Sequence, residues 1–275
     1  MALTTRDIIT EDFVRDTVEE VVQEDLVYRD VFRELDATGI QSNAYTFQVE
    51  DDNMGRPETI PEGAEFPRNQ STVREVTVNF EKYGDEVAIT MEAMNDGMLD
   101  MKAREVEDLA REMAEHLNDR AFEELDNNVD DTVGDGNDTL TFSDIRDGMV
   151  AVRQNNYTPD TLIVDLGGYG DLLTDDNFNR ATEMGDEVVR SGMIGRIAGM
   201  DVIVDNTRDI GSTEDSGQPV GAFVVDSDHY GYELTRTPIT TNEYENPERQ
   251  ADVMQIYTRK SWKAIFSEAA VKVDA

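Results

Sequence analysis

The sequence predicts an α+β chain, and three observations carry that reading. Alternating apolar residues flank a proline-bearing segment at 46–80 and resume at 85–94, which is the two-residue period of strands. One long helical pattern follows at roughly 97–127. Beyond 140, strand-like runs such as "TLIVD" (161–165) and "GAFVVD" (221–226) interleave with short helical stretches, and alternation returns from 235 onward.

Residues 1–40 carry a helical signal. Val14, Val18, Val21, Val22 and Leu26 recur at steps of three and four after a start at Thr10. They describe an amphipathic arm with little core of its own. Residues 46–80 are polar and hold Pro57, Pro61 and Pro67, three of the seven prolines. Phe47 and Val49 lie before the prolines, and Val76, Val78 and Phe80 after them. That arrangement reads as a long β-hairpin, a finger stiffened by its prolines. Residues 85–94 place Val87, Ile89 and Met91 on one strand face. The helix at 97–127 repeats Met101, Val106, Leu109, Met113, Leu117, Ala121 and Leu125, a length of ~45 Å. "NVDDTVGDGNDTL" (128–140) is a turn-rich break. A helix over 143–155 capped by Ser143, and a second from about Tyr169 carrying Leu172 and Leu173, surround the 161–165 strand. Strands at 201–205 and 221–226 follow, then "DVMQIYTRKSWKAIF" and "AAVKV". No internal repeat is visible.

The 275 residues suffice for a substantial core. Charge is the dominant property: 61 acidic residues face 24 basic ones, a formal net charge of -37. Only Lys82, Lys102, Lys260, Lys263 and Lys272 are lysines; the other basic residues are arginine. Such a surface repels itself at ordinary ionic strength. In molar salt the Debye length falls to ~3 Å and the repulsion largely vanishes. Acidic excess with few lysines therefore points to a very salty cytoplasm. Between Glu105 and Asp147 there are fifteen acids against three bases. From Arg249 onward there are five bases against three acids, the one region that is not acidic. No basic stripe with interleaved aromatics exists, which argues against a nucleic-acid groove. The absence of cysteine excludes disulfides and thiolate chemistry. "MALTTRDIITEDF" lacks a signal peptide's apolar run, and nothing approaches a membrane span, so a soluble intracellular product is expected.

Candidate chemistry is sparse. "SGMIGRIAGMDVIVDNT" (191–207) places Gly192, Gly195 and Gly199 before a strand. A phosphate cradle needs glycines between a strand and a helix, so the helix dipole is missing here. A tight turn with close backbone packing is the expected role. "GDGNDTL" (134–140) offers Asp135, Asn137 and Asp138 as weak candidates for a hard cation. Such sites form between stacked repeats, and a single copy reads as a solvated turn. No metal or cofactor is therefore expected. His116 has no second ligand four residues on. His229 lies near Asp226 and Asp228, but no G-x-S-x-G elbow accompanies it. Met91, Met94, Met98, Met101 and Met113 read as core packing. An arm, a finger and a long helix remain, the parts of something that builds contacts.

In order, these parts resemble the Hong Kong 97-like major capsid proteins of tailed double-stranded DNA viruses. "IPEGAEFPRNQSTVREVTVNFEKYGDEVAITMEAMNDGMLDMKAREVEDLAREMAEHLNDRAFEEL" is similar to that family's loop-to-spine passage. "NYTPDTLIVDLGGYGDLL" is similar to its axial strand and helix. "GMIGRIAGMDVIVDNT", then "GAFVVDSDHYGYELTRTPI", is similar to its axial glycine turn and strand, and to the strand and short helix that follow. The resemblance implies an N-terminal arm at 1–45 and an extended loop at 46–80. It implies a peripheral domain at 81–132 and 236–275 with spine helix 97–127, and an axial domain at 133–235. It also implies a structural, non-enzymatic subunit that assembles with itself into hexamers and pentamers. These would form an icosahedral shell enclosing double-stranded DNA without sequence-specific binding. Scaffolding, protease, portal and minor capsid proteins are the further partners implied, with no membrane. The location implied is the virion, assembled in the host cytoplasm, and the acidic surface makes the haloarchaeal type the expectation. The 46–80 loop has no lysine, so the isopeptide crosslink of some members is not expected. Arg56, Glu62 and Arg68 on the finger are the candidate inter-subunit contacts. An encapsulin-like compartment is the alternative, and an acidic halophilic hydrolase using His229 a lesser one.

Overall fold

Alternation builds the finger and its platform. The computed structural model describes residues 26–51, 59–62, 65–66, 72–92, 101–134, 139–174, 195–205, 210 and 220–274. The helical arm expected over 1–40 lies outside these residues as far as position 25; from Leu26 onward it is a correction, because Leu26, Tyr28, Val31 and Phe32 are buried in the main core and the chain is not α-helical. A 3-10 turn, Val27–Asp30, leads into β1 (Phe32–Asp36). β2 (Ala44–Asp51) and β3 (Thr72–Asn79) pair antiparallel along their whole length, from Ala44 opposite Asn79 to Asp51 opposite Thr72. This is the hairpin that the flanking alternation predicts.

The platform is a four-stranded sheet. β4 (Glu81–Thr90), β10 (Gly231–Asn246) and β11 (Ala251–Ala264) join β1 in the order β1-β10-β11-β4. β1 runs parallel to β10, and the other pairs are antiparallel. β10 departs from expectation, because the short helix expected after "GAFVVD" is a turn over Ser227–His229. The chain then runs through sixteen residues of strand. Its register shifts between Thr235 and Thr240, around Pro238. Proline lacks the N–H of a regular ladder and is tolerated at such an irregularity.

α1 (Met101–Asn128) crosses this sheet. It is 28 residues long, about 42 Å, against the expected 97–127. Val106, Leu109, Met113, Leu117, Ala121 and Leu125 are all buried, as their spacing predicts. They pack on Ile89 of β4 and on Met254, Ile256 and Trp262 of β11. Met91 is a correction: it is 40% exposed, just past the end of β4.

The second unit is a six-stranded sheet in the order β5-β12-β9-β6-β8-β7. Its strands are β5 (Asp131–Val133), β6 (Thr161–Asp165), β7 (Arg196–Ile197), β8 (Met200–Asp205), β9 (Gly221–Val225) and β12 (Ala270–Asp274). Every residue of β6 and β9 is buried, because both faces are covered. Ile163, Phe223 and Val225 join the α1 core. Leu162, Val164, Ala222 and Val224 pack in a second core with Ile145 and Val152 of α2 (Phe142–Gln154) and Leu172 of α3 (Leu166–Thr174). β12 lies in this sheet, apart from the rest of 236–275 with which the sequence division groups it.

Two caps differ from expectation. α2 is capped by Thr141, not Ser143. The Asp144 carboxylate reaches back to accept the Thr141 N–H at 2.9 Å, the reciprocal arrangement of a capping box. α3 starts at Leu166 and not near Tyr169, because the Asp165 carboxylate accepts the Gly168 N–H at 2.7 Å. In the glycine segment, Ala198 and Gly199 form the hairpin loop between β7 and β8, and Gly192 lies outside the described residues. Ala198 and Gly199 have φ of 52° and 92°, the left-handed pair that a two-residue hairpin loop needs. The expected close packing is absent there, since a Cβ on Gly195 or Gly199 would meet nothing within 4 Å. It occurs at Gly231 instead, where a Cβ would lie 2.6 Å from the Lys263 carbonyl oxygen.

Candidate assembly surface

The finger has two unlike faces. Tyr45, Phe47 and Val49 lie on one side of β2, across from Val78, Val76 and Arg74 of β3. Tyr45 and Phe47 stack, and Phe47 meets Tyr232 of β10 edge-on at 6.2 Å. Val49, Val76, Val78, Phe80, Leu234 and Ile265 make a third core cluster under the hairpin. The opposite face is polar, with Thr46 and Thr77 hydroxyls 2.9 Å apart across the strands. The hairpin therefore lies on the platform by its apolar face and keeps its polar face outward.

Arg74, opposite Val49 near the loop end of the hairpin, ties the finger to the platform. Its guanidinium donates to the Ile265 carbonyl and lies 5.9 Å from the centre of the Phe266 ring. Beside it is a cleft of about 550 Å³, whose wall includes Arg74, Val76, Tyr157, Lys263, Phe266 and Glu268. Lys263 also donates to Glu124 of α1 at 2.7 Å. The cleft thus combines two aromatic rings and two cations in a strongly acidic molecule.

Beneath the platform lies a buried polar trio. Lys260 of β11 donates to the Glu233 carboxylate, and the Tyr28 hydroxyl donates to the same oxygen at 2.8 Å. The Lys260 ammonium is 3.1 Å from the Tyr28 oxygen. The Lys260 and Glu233 side chains are 3% and 1% exposed, so each is the other's replacement for water. Burial, reinforced by Glu233, pushes the Tyr28 phenol well above the usual range. Tyr83 is pushed up to about 12, by burial first and then by its hydrogen bond to Glu81. Burial raises Tyr230 as well.

Glu62 is exposed in a turn. Arg56, Arg68, Asp135, Asn137 and Asp138 lie outside the described residues. Among the described residues, no group of three or more His, Asp or Glu is placed to hold a metal ion. His116 is exposed, with its ring 5.5 Å from that of Tyr83. His229 Nδ1 lies 2.9 Å from Asp226, but the neighbouring Ser227 hydroxyl donates to Asp160 at 2.6 Å. Ser227 is therefore not the hydroxyl of a Ser-His pair. Sequence reasoning missed Arg74 and the cleft. Nothing local marks Arg74, whose partner lies 191 residues away.

Comparison with known proteins places this architecture. A family model described as "Phage capsid protein" matches residues 74–273. No curated protein matches the sequence. Among solved structures, the chain is similar to the capsid structure of cyanophage P-SCSP1u at 10% identity and a TM-score of 0.72, covering 91% of this chain and 88% of that one. It is similar to a structure from Mycobacterium phage Che8 at 12% identity and a TM-score of 0.70, covering 90% of each chain. It is also similar to a virus-like particle from Pyrococcus furiosus at 12% identity and a TM-score of 0.63, covering 96% of this chain and 99% of that one.

Proposed function

The chain belongs to the phage capsid protein family, and from that premise we propose that it is the major capsid protein of a tailed double-stranded DNA virus infecting a halophilic archaeon. It has the Hong Kong 97-like fold and is a structural protein without enzymatic function. Its place is the virion capsid. In the proposed reading, copies form hexamers and pentamers that close an icosahedral shell around DNA, assembled in the host cytoplasm. The units 1–45, 46–80, 81–132 with 236–275, and 133–235 serve as arm, extended loop, peripheral domain and axial domain, with β12 at the end of the third unit lent to the sheet of the fourth. Scaffolding, protease, portal and minor capsid proteins are its partners, and the DNA is enclosed without being read.

The observation that carries this reading is the span of the family match. It runs from within β3 of the finger to within β12, so it takes in α1 and strands of both large sheets. Electron microscopy of the protein purified in high salt tests it. Capsomers or shells are expected, and a uniform small globule overturns it. Arg56, Glu62 and Arg68 make charged contacts to a neighbour in this reading. Arg56→Glu with Arg68→Glu is expected to block assembly, and normal shells from that variant remove the finger's charges from the account.

A second reading, an encapsulin-like compartment, is favoured by the near-complete overlay on the Pyrococcus furiosus virus-like particle. The contents of purified particles, DNA or protein, separate the two.

A further inference from the structure

Lys260, Lys263 and Lys272 each meet a carboxylate, on Glu233, Glu124 and Asp126. Three other cations of the platform do not. Lys82 of β4 lies directly opposite Arg259 of β11, and Arg259 lies opposite Thr237 of β10, next to Arg236. Met254, Ile256 and Trp262 of β11 face α1, so strand alternation turns Arg259 to the other face of the sheet. Arg259 donates to the Asn43 side-chain oxygen at 2.7 Å, and Arg236 to the Gln41 carbonyl at 3.2 Å. The Lys82 ammonium lies 4.8 Å from the centre of the Tyr257 ring, and the Arg236 guanidinium 5.9 Å from that of Phe80. All of these partners are uncharged. Glu86, on the same face of β4 as Lys82, accepts from Gln255 at 2.7 Å instead. In a chain of 61 acids and 24 bases, a row of cations across three neighbouring strands with only neutral partners calls for a counter-charge from outside the chain.

One donor in this row fixes where that charge sits. Arg259 Nε is buried and finds no acceptor among the described residues. Buried donors in folded proteins are met by protein, by water or by an ion. Water leaves the cations unanswered, and like charges directly opposite on neighbouring strands repel. A negative ion satisfies the donor and offsets the repulsion together. We propose that a small inorganic anion, chloride where the salt is molar, binds at Arg259 Nε and bridges to Lys82, with Arg236 adding to the field. The ligand is small because Nε is sealed from solvent, beyond the reach of a carboxylate carried by a bulky partner. Weak affinity is enough, since molar salt fills a weak site. Asn43 immediately precedes β2, so the ion lies where the hairpin leaves the platform and holds that junction together. The proposal is independent of the shell reading, because a single folded chain contains the whole site.

Bromide, which scatters X-rays anomalously, is the probe that locates the ion. In crystals of the full chain grown from potassium bromide, an anomalous peak is expected within hydrogen-bond reach of Arg259 Nε. The same peak is expected to vanish from Arg259→Gln crystals while bromide elsewhere is retained. A water in that place, or a peak that survives Arg259→Gln, overturns the proposal. A solution experiment reads the same site. Melting is followed at constant potassium concentration while chloride is exchanged stepwise for glutamate, an anion too bulky to reach a buried Nε. The unaltered chain is expected to lose about 2–4 °C more than Arg259→Gln over the exchange. Equal losses in the two chains overturn the proposal, since general salt effects act on both alike. Should Arg259→Gln fail to fold, Lys82→Gln, at an exposed position, carries the same comparison with the same two outcomes.

Discussion

Lys260 and Glu233 show how much one residue carries in this fold. Both are nearly free of solvent and satisfy each other with Tyr28. Removing one partner leaves a buried charge unanswered, which costs about 3–5 kcal/mol. Lys260→Met is expected to lose that much in denaturant unfolding at high salt, and Lys260→Met with Glu233→Leu to recover most of it. The tyrosines set a limit at alkaline pH. In the unfolded chain the Tyr83 phenol ionises near its ordinary 10.0, and in the fold only at about 12. Its contribution is therefore intact below pH 10 and falls as pH rises towards 12. Tyr28 and Tyr230, raised in the same direction, steepen the fall. Melting temperature is expected to drop across that window, and Tyr83→Phe to flatten the drop.

At the scale of elements, the point where Arg74 pins the loop end of the β2–β3 hairpin to the platform is the sensitive joint. Arg74→Ala removes the donor to Ile265 and the cation over Phe266. Amides of Ala44–Asp51 are expected to exchange faster with solvent while those of α1 stay protected. In α2, Thr141→Ala removes the cap and is expected to cost about 1 kcal/mol in unfolding experiments. These elements also show what a sequence can reveal. The buried stripe of α1 was legible because one apolar period runs from Val106 to Leu125 in steps of three and four, although the step from Met101 to Val106 is off by one. The finger was legible because alternation brackets its prolines. The unbroken β10 was not, since Pro238 and the threonines around it mimic a loop. The cap of α2 was assigned to the wrong hydroxyl because Thr141 and Ser143 are both capping types, and only the reach of Asp144 decides. The cleft was not legible at all: Arg74, Tyr157 and Phe266 meet only when the finger folds onto the platform. Lys260 hid for a similar reason, because alternation cannot distinguish a lysine facing water from one facing Glu233.

For the whole molecule, salt is the governing variable. A net charge of -37 repeated through a shell is screened over ~3 Å in molar salt but over ~10 Å at a tenth of that concentration. Shells are expected to loosen on dilution from molar salt, and a constant light-scattering signal through that series contradicts the expectation. The six-stranded sheet imposes a second, temporal order. β12 lies between β5 and β9, and β5 has only β12 beside it in the sheet. During synthesis, the segment at Asp131–Val133 must wait for Ala270–Asp274 before it can be stitched in. The six-stranded sheet therefore closes late, across some of the longest sequence separations in the fold, and its edge is open until that return is made.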